Sequence, residues 1–292
     1  MNLTETAQAL ALSRSGYHAH QRRHLRPRRV QDAALSTEIH AAFVASRRTY
    51  GSPRVRHALR ARGLQHGQNR IARLMREQGL RGCRKGRYVP RTTVAGPAAG
   101  ASANLLRARP APQRPDEVWL TDITYIPTRE GWLFPAAELD LCSRRIVGWE
   151  TSASLATPLV SAALEHALAA RAVPPPRLRE LLHHSDRGCQ YGSEAFRARL
   201  ALRGITQSMS RPANCYDNAA MESFWATLKA EAFGSLIPAT RSEARSLIFD
   251  YIEPERSGDR RSQTFYNPVR LHSALGYQSP VAFELSIQNK LP

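Results

Sequence analysis

The chain has 292 residues, enough for one large domain or two smaller ones, and 42% of them are hydrophobic, enough to bury a core. No run approaches the ~18 apolar residues of a membrane span, and the first residues lack the basic-then-apolar order of a secretory signal. The formal net charge of +18 is lopsided: residues 1–114 hold 23 Lys and Arg against 4 Asp and Glu, while residues 115–292 hold 19 against 20. A front at +19 and a back at −1 suit a nucleic-acid-binding segment joined to a differently employed one, with an anionic membrane as the weaker alternative partner. Cys83, Cys142, Cys189 and Cys215 are scattered without a C-x-x-C pair, which argues against a structural zinc and for reduced thiols in a cytoplasmic protein.

In the front, residues 4–12 suggest a short helix, and Arg22, Arg23, Arg26, Arg28 and Arg29 follow as a basic connector, either solvated or touching phosphate. A helix is expected over 32–46, with Leu35, Ile39, Ala42 and Phe43 on one side. Ser52 as N-cap and Pro53 at the first helical position open a second helix that Gly63 stops. A third, about 68–78, buries Ile71, Leu74 and Met75 and leaves Arg70, Arg73 and Arg76 off that stripe. Two short helices around a Gly-containing turn, the second rich in Arg, suggest helix-turn-helix DNA binding at those three arginines; a small bundle with a basic surface is the ordinary alternative. Residues 81–91 are basic, and 92–115, rich in Ala, Pro and Gly, form a linker. The expected domains are thus 1–31, 32–91, the linker 92–115, and 116–292.

From 116 the pattern is that of strands. VWLTDITYIP alternates Trp119, Thr121, Ile123 and Tyr125 with Val118, Leu120, Asp122 and Thr124. An ionisable Asp122 among apolar neighbours is costly unless something pairs with it. GWLFPAAELDL and SRRIVGWET follow as an antiparallel meander, with Pro135 hinting at a bulge or an edge. A helix over 157–171, a strand in RELLHHSD ending just before Asp186, a helix over 193–203, a short strand or loop in GITQSMS, a helix from Asn218 and one over 242–253 complete the order. Strands followed by alternating helices argue for an α/β sheet with helices on both faces.

In the helix after Asn218, an N-cap candidate, Glu222 and Lys229 are seven residues apart, two turns, so both point to one face about 10 Å apart. Alone this is a solvated face. With Asp122 on a strand and Asp186 at a strand end, Glu222 reads as the third carboxylate of a site for hard divalent ions, which take oxygen ligands. A pair of such ions suits phosphodiester chemistry. His183 and His184 are expected to pack or hydrogen-bond rather than ligate. Asn214 and Asp217 suit capping or DNA orientation, with Asp217 a weaker candidate for an extra ligand. Arg187 and Arg211 suit phosphate or plain surface, and Trp119 and Trp149 the core.

VWLTDITYIP, HHSDRGCQY, NCYDNAAMESF, Lys229 and YNPVRLHSALGYQSP together resemble the OrfB-type transposases of the third insertion-sequence family, DDE transposases related to retroviral integrases. The resemblance runs from about residue 5 to 286, and TYGSPRV through RIARLMREQGL resembles that family's helix-turn-helix segment. It implies an RNase H-like mixed five-stranded sheet with flanking helices behind a small all-helical domain. It implies Asp122, Asp186 and Glu222 as catalytic metal-binding triad with two Mg²⁺ or Mn²⁺ ions, and Lys229 on the DNA end. It implies nicking of element ends and 3′-OH strand transfer. The partners would be double-stranded DNA (terminal repeats and target), further copies of the chain on DNA, and a fusion with an upstream reading-frame product; the place would be the nucleoid, with no membrane. An inactive DNA-binding remnant or regulator and a hydrolase of RNA–DNA hybrids are the competing readings. Three departures stand out: Ala213 where the family has Gly, Pro135 in a strand, and an insertion, residues 254–264, expected to be a solvent loop interrupting a helix.

Overall fold

The computed structural model describes residues 27–83, 102–211, 218–253 and 265–289, together with Ser13, Ser15 and His18. The helix expected over 4–12, Arg22, Arg23, Arg26, most of 81–91, the first part of the linker, Ala213, Asn214, Cys215, Asp217 and residues 254–264 lie outside the described residues. The chain divides into two compact units, Met1–Cys83 and Arg84–Pro292.

In the first unit, α1 (Pro27–Ala45), α2 (Ser52–Ala61) and α3 (Gln68–Glu77) pack pairwise. Their apolar stripes meet as expected: Leu35, Ile39, Ala42 and Phe43 from α1, Val55 and Leu59 from α2, Ile71, Leu74 and Met75 from α3. The N-cap of α2 is Gly51 rather than Ser52, whose backbone is already helical, and no side chain caps it. Gly82 closes the unit: a Cβ there would stand 2.5 Å from the Gly51 nitrogen, and the Cys83 N–H donates to the Thr49 carbonyl at 2.9 Å. Only glycine permits that approach.

The second unit is built on β1 (Val118–Ile123), β2 (Ile126–Thr128), β3 (Gly131–Asp140), β4 (Ile146–Ser152), β5 (Leu182–Ser185) and β6 (Thr206–Met209). β3 pairs antiparallel with both β4 and β1, and β1, β5 and β6 pair in parallel, giving a mixed sheet. Among the described residues there are six strands where five were expected. The sixth, β2, continues β1 after a break at Thr124–Tyr125: Ile123 faces Ala136 and Ile126 faces Leu133, one unbroken register along β3. Pro135 lies inside β3 between β4 and β1, so it marks no edge. The register shift with β4 falls at Glu138/Leu139 instead, next to Gly148, where a Cβ would lie 2.5 Å from the Ala163 carbonyl oxygen of the covering helix.

That helix, α4 (Thr157–Arg171), and α5 (Glu194–Leu202), capped by Ser193, enclose a core with Trp119, Val147, Tyr191 and Phe196. By strand alternation Leu120 and Asp122 face the opposite side of the sheet. α6 (Ala219–Leu228) and α7 (Arg241–Ile252), capped by Thr240, pack against β1 and β3. A last helix, α8 (Pro280–Gln288), was not anticipated, although its Ser279 cap and leading Pro280 are legible start signals. Its buried Glu284 accepts from Arg145 and Arg171 at 2.7 and 3.0 Å. Part of the expected linker belongs to this unit as well: the Leu105 N–H donates to the Ser208 hydroxyl, and Arg109 donates to the carbonyls of Glu117 and Glu180.

Candidate active site

Two parallel strands bring the first two acids together. Leu120 on β1 lies opposite His184 on β5, so two residues further along each strand Asp122 stands beside Asp186, which follows the end of β5. Strand C-terminal ends are where α/β sheets expose side chains to ligands. Glu222 projects from the first turn of α6, where the positive end of the helix dipole favours a carboxylate. The start of α6 is tied to β1 because the Asn218 side-chain amide donates to the Thr121 carbonyl at 3.3 Å. Asn218 occupies the N-cap position but does not cap with its side chain, contrary to expectation; β1 claims the amide instead. Its Oδ1 is buried without a hydrogen-bond partner among the described residues.

Asp122 keeps some surface but is densely surrounded, and its carboxyl is pushed well above the ordinary range. Burial is the main cause, followed by the negative charge of Asp186 and, more weakly, of Glu222. The Ile123 N–H and the Trp225 indole oppose the shift, yet the indole nitrogen reaches no hydrogen-bond geometry. Asp186 is oriented by the Gly188 N–H, which donates to its Oδ1 at 2.9 Å. Glu222 is the exposed member, raised modestly by partial burial. The three acids therefore share one neighbourhood, but among the described residues no three acids, histidines or thiols stand close enough to grip an ion in common.

Lys229 belongs here too. Burial lowers its ammonium, and Asp122's charge pulls it back up. The expected unbroken helix does not carry it: α6 ends at Leu228, and Lys229–Phe233 is a π turn, a widening that often marks functional sites. Two tyrosines that sequence reasoning left out feel the charge of the acids, Tyr191 from the core on the other face of the sheet. Tyr125, half-buried, and Tyr191, fully buried, are both raised by burial and then by Asp122 and Asp186. The Tyr191 hydroxyl lies 3.2 Å from that of Thr121. Only their place in the words around the two aspartates gave any signal.

The remaining candidates divide. Arg187 donates its Nε to the Ser210 carbonyl at 2.8 Å, and Arg211 is exposed. In the first unit Arg70 and Arg73 both bind Asp32, at 2.7 Å each, and Arg73 also binds Glu77; Arg76 is exposed. Two of the three arginines expected to meet DNA thus spend part of their guanidinium joining α3 to α1. His184 lies between the Ser208 and Ser210 hydroxyls at 2.9 and 3.0 Å, and His183 lies against Glu138, all buried, as the hydrogen-bonding alternative expected. Trp119 and Trp149 are buried, their indoles donating to Asp116 and Glu253. No helix among the described residues is long and apolar enough to cross a membrane.

Residues 112–215 match the family described as integrase core domain, and residues 30–88 the HTH-like domain. The chain is 40% identical to an uncharacterized 31 kDa protein of insertion element IS600 from Shigella sonnei, over 94% of this chain and 96% of that one. It is 37% identical to the transposase of insertion sequence element IS904 from Lactococcus lactis, over 89% and 98%. It is 34% identical to transposase InsF of IS3A from Escherichia coli, over 94% and 91%. Among solved structures, the HTLV-2 integrase catalytic core covers 59% of this chain at 12% identity with a TM-score of 0.40, a likeness too loose to carry weight.

Proposed function

Because the chain belongs to the insertion-sequence transposases with an integrase core, we propose that Asp122, Asp186 and Glu222 are its metal-holding acids and that DNA strands are broken and joined at them. As a family member it is a DNA transposase; the residue roles are our reading. The observation that carries it is the convergence of Asp122 and Asp186 at the ends of adjacent parallel strands, with Glu222 coupled to Asp122.

The donor set suits hard divalent ions: carboxylate oxygens, with Asp122 held up by neighbours of its own sign. Closing the set is left to Glu222, the exposed member. A pair of Mg²⁺ or Mn²⁺ ions would supply an activated water or 3′-hydroxyl and a stabilised leaving oxygen. The chain's own groups do the rest. Lys229, beside Asp122, holds a phosphate of the DNA end. Exposed Arg211 and the free face of Arg187 take flanking phosphates, and Arg76 with the outer faces of Arg70 and Arg73 meets duplex DNA. Strand transfer joins two ends, so the chain works as a multimer on DNA, and an upstream reading-frame product completes it in this reading.

The test is end nicking by the full chain, both alone and fused to its upstream reading-frame product, with Mn²⁺ and a duplex spanning one terminus of the encoding element. Glu222→Ala is expected to lower nicking on the order of 10³-fold or more while DNA binding persists. Retained nicking removes Glu222 from the site. Wild-type binding without any nicking returns the chain to a DNA-binding remnant.

A further inference from the structure

We propose that Arg270, Glu231 and Tyr251 form an internal clamp that positions Lys229 against Asp122 for the strand-breaking step; this rests on the function proposed above. Glu231 lies in the π turn two residues after Lys229. Two residues on a helical turn are separated by roughly 200°, so when Lys229 faces the acids Glu231 faces away from them. There it meets a fork: Arg270 Nε donates to one carboxylate oxygen and the second guanidinium nitrogen to the other, each at 2.7 Å. The Tyr251 hydroxyl adds a third donor at 2.7 Å. The side chains of Arg270 and Glu231 are 4% and 5% exposed, and the ring of buried Tyr266 lies 5.9 Å from the guanidinium carbon.

A buried, bidentate, fully donated carboxylate is the most direction-specific restraint a side chain offers. It acts on a turn that lacks regular α-helical hydrogen bonding and so depends on tertiary contacts for its shape. The motif YNPVRLHSALGYQSP, which the proposed chemistry leaves unused, supplies the arginine. The clamp also gathers both flanks of residues 254–264. Tyr251 comes before them, Arg270 after, and the Tyr266 N–H donates to the Tyr251 carbonyl at 2.8 Å. The catalytic helix is thereby held by groups that the inserted segment does not supply.

Single-turnover end nicking at saturating DNA tests this, with Arg270→Lys, Tyr251→Phe and Glu231→Gln in the full chain. Arg270→Lys keeps the charge and loses the fork; nicking is expected to fall roughly tenfold or more while affinity for the same duplex stays within about twofold. The fall is expected to vanish in a Lys229→Ala background, because a restraint acting through Lys229 has nothing left to position. If Arg270→Lys melts too early to assay, Tyr251→Phe, which deletes one hydroxyl, decides with a smaller fall of the same kind. Wild-type nicking rates in all three variants overturn the clamp alone. So does a loss fully additive with Lys229→Ala, which marks a general structural role. A wild-type chain that nicks nothing, alone or fused to the upstream reading-frame product, overturns the site assignment and the clamp with it.

Discussion

Asp122 and Glu231 both neighbour the Lys229 turn, and the protein treats the two carboxylates in opposite ways. Glu231 is neutralised from inside, by a guanidinium fork and a phenol. Asp122 is surrounded by more negative charge, from Asp186 and Glu222, with a neighbouring indole that fails to hydrogen-bond it. Asp140 is a third case, buried and hydrogen-bonded by dipoles: the N–H groups of Asp116 and Ser143 and the Ser143 hydroxyl. Glu231, kept for structure, gets its counter-charge from the chain. Asp122 has the Lys229 ammonium to set against two acids, and in the proposed reading the remaining counter-charge arrives from outside. Burial alone does not separate Glu231 from Asp122; the guanidinium against the one and the two carboxylates against the other do.

The comparison breaks first at Arg270. Arg270→Ala leaves Glu231 buried without its cation, and chemical denaturation should show a loss of about 3–5 kcal/mol. A loss near zero would mean that Glu231 needs no partner and that the distinction is empty. The intermediate case is Asp140, whose carboxyl burial pushes up to about 6. The fold therefore binds this proton before the unfolded chain does, so Asp140's contribution is fully present below the ordinary value of 3.8 and is lost as pH rises through about 6. Relative to Asp140→Asn, the wild type should gain roughly 1–3 kcal/mol between pH 7 and pH 4; parallel stability–pH curves would show that the three dipoles suffice. The smallest effect has the opposite sign. Asp122→Asn removes a charge that the metal-free protein holds against repulsion, and should stabilise it by about 1 kcal/mol while abolishing nicking. Added Mg²⁺ or Mn²⁺ should raise the melting temperature of the wild type and not of the variant. Destabilisation by Asp122→Asn without metal would place Asp122 with the structural acids.

Features that depend on near neighbours were readable from the sequence. The stripes of α1 and α3, the strand around Asp122 and the strand end before Asp186 follow from spacing, and the local words around the acids carried the family resemblance. What escaped depends on distant partners or on departures from regular geometry. Arg70 and Arg73 reach Asp32 across 38 and 41 positions, and Glu231 reaches Arg270 across 39, so no window of sequence contains either pair. The π turn was hidden because a 3.6 period carries straight through Lys229 when nothing in the residue types signals a wider turn. The same blindness turned one broken strand, β1 with β2, into a single element and gave five strands for six. Asn218 was misjudged because the rule that favours Asn as a cap cannot see that a carbonyl 97 positions away holds its NH2, while the oxygen that would cap is left without a partner among the described residues.

The hydrogen bond from Tyr266 to Tyr251 has a practical side. It ties Tyr266 to Tyr251 on α7, so the described residues on either side of 254–264 are held as a pair of fixed posts. Doubling the length of chain between fixed posts adds only about 0.6 kcal/mol of closure entropy. A fluorescent or affinity label spliced between these posts is therefore expected to leave the melting temperature nearly unchanged and the helix that bears Glu222 undisturbed.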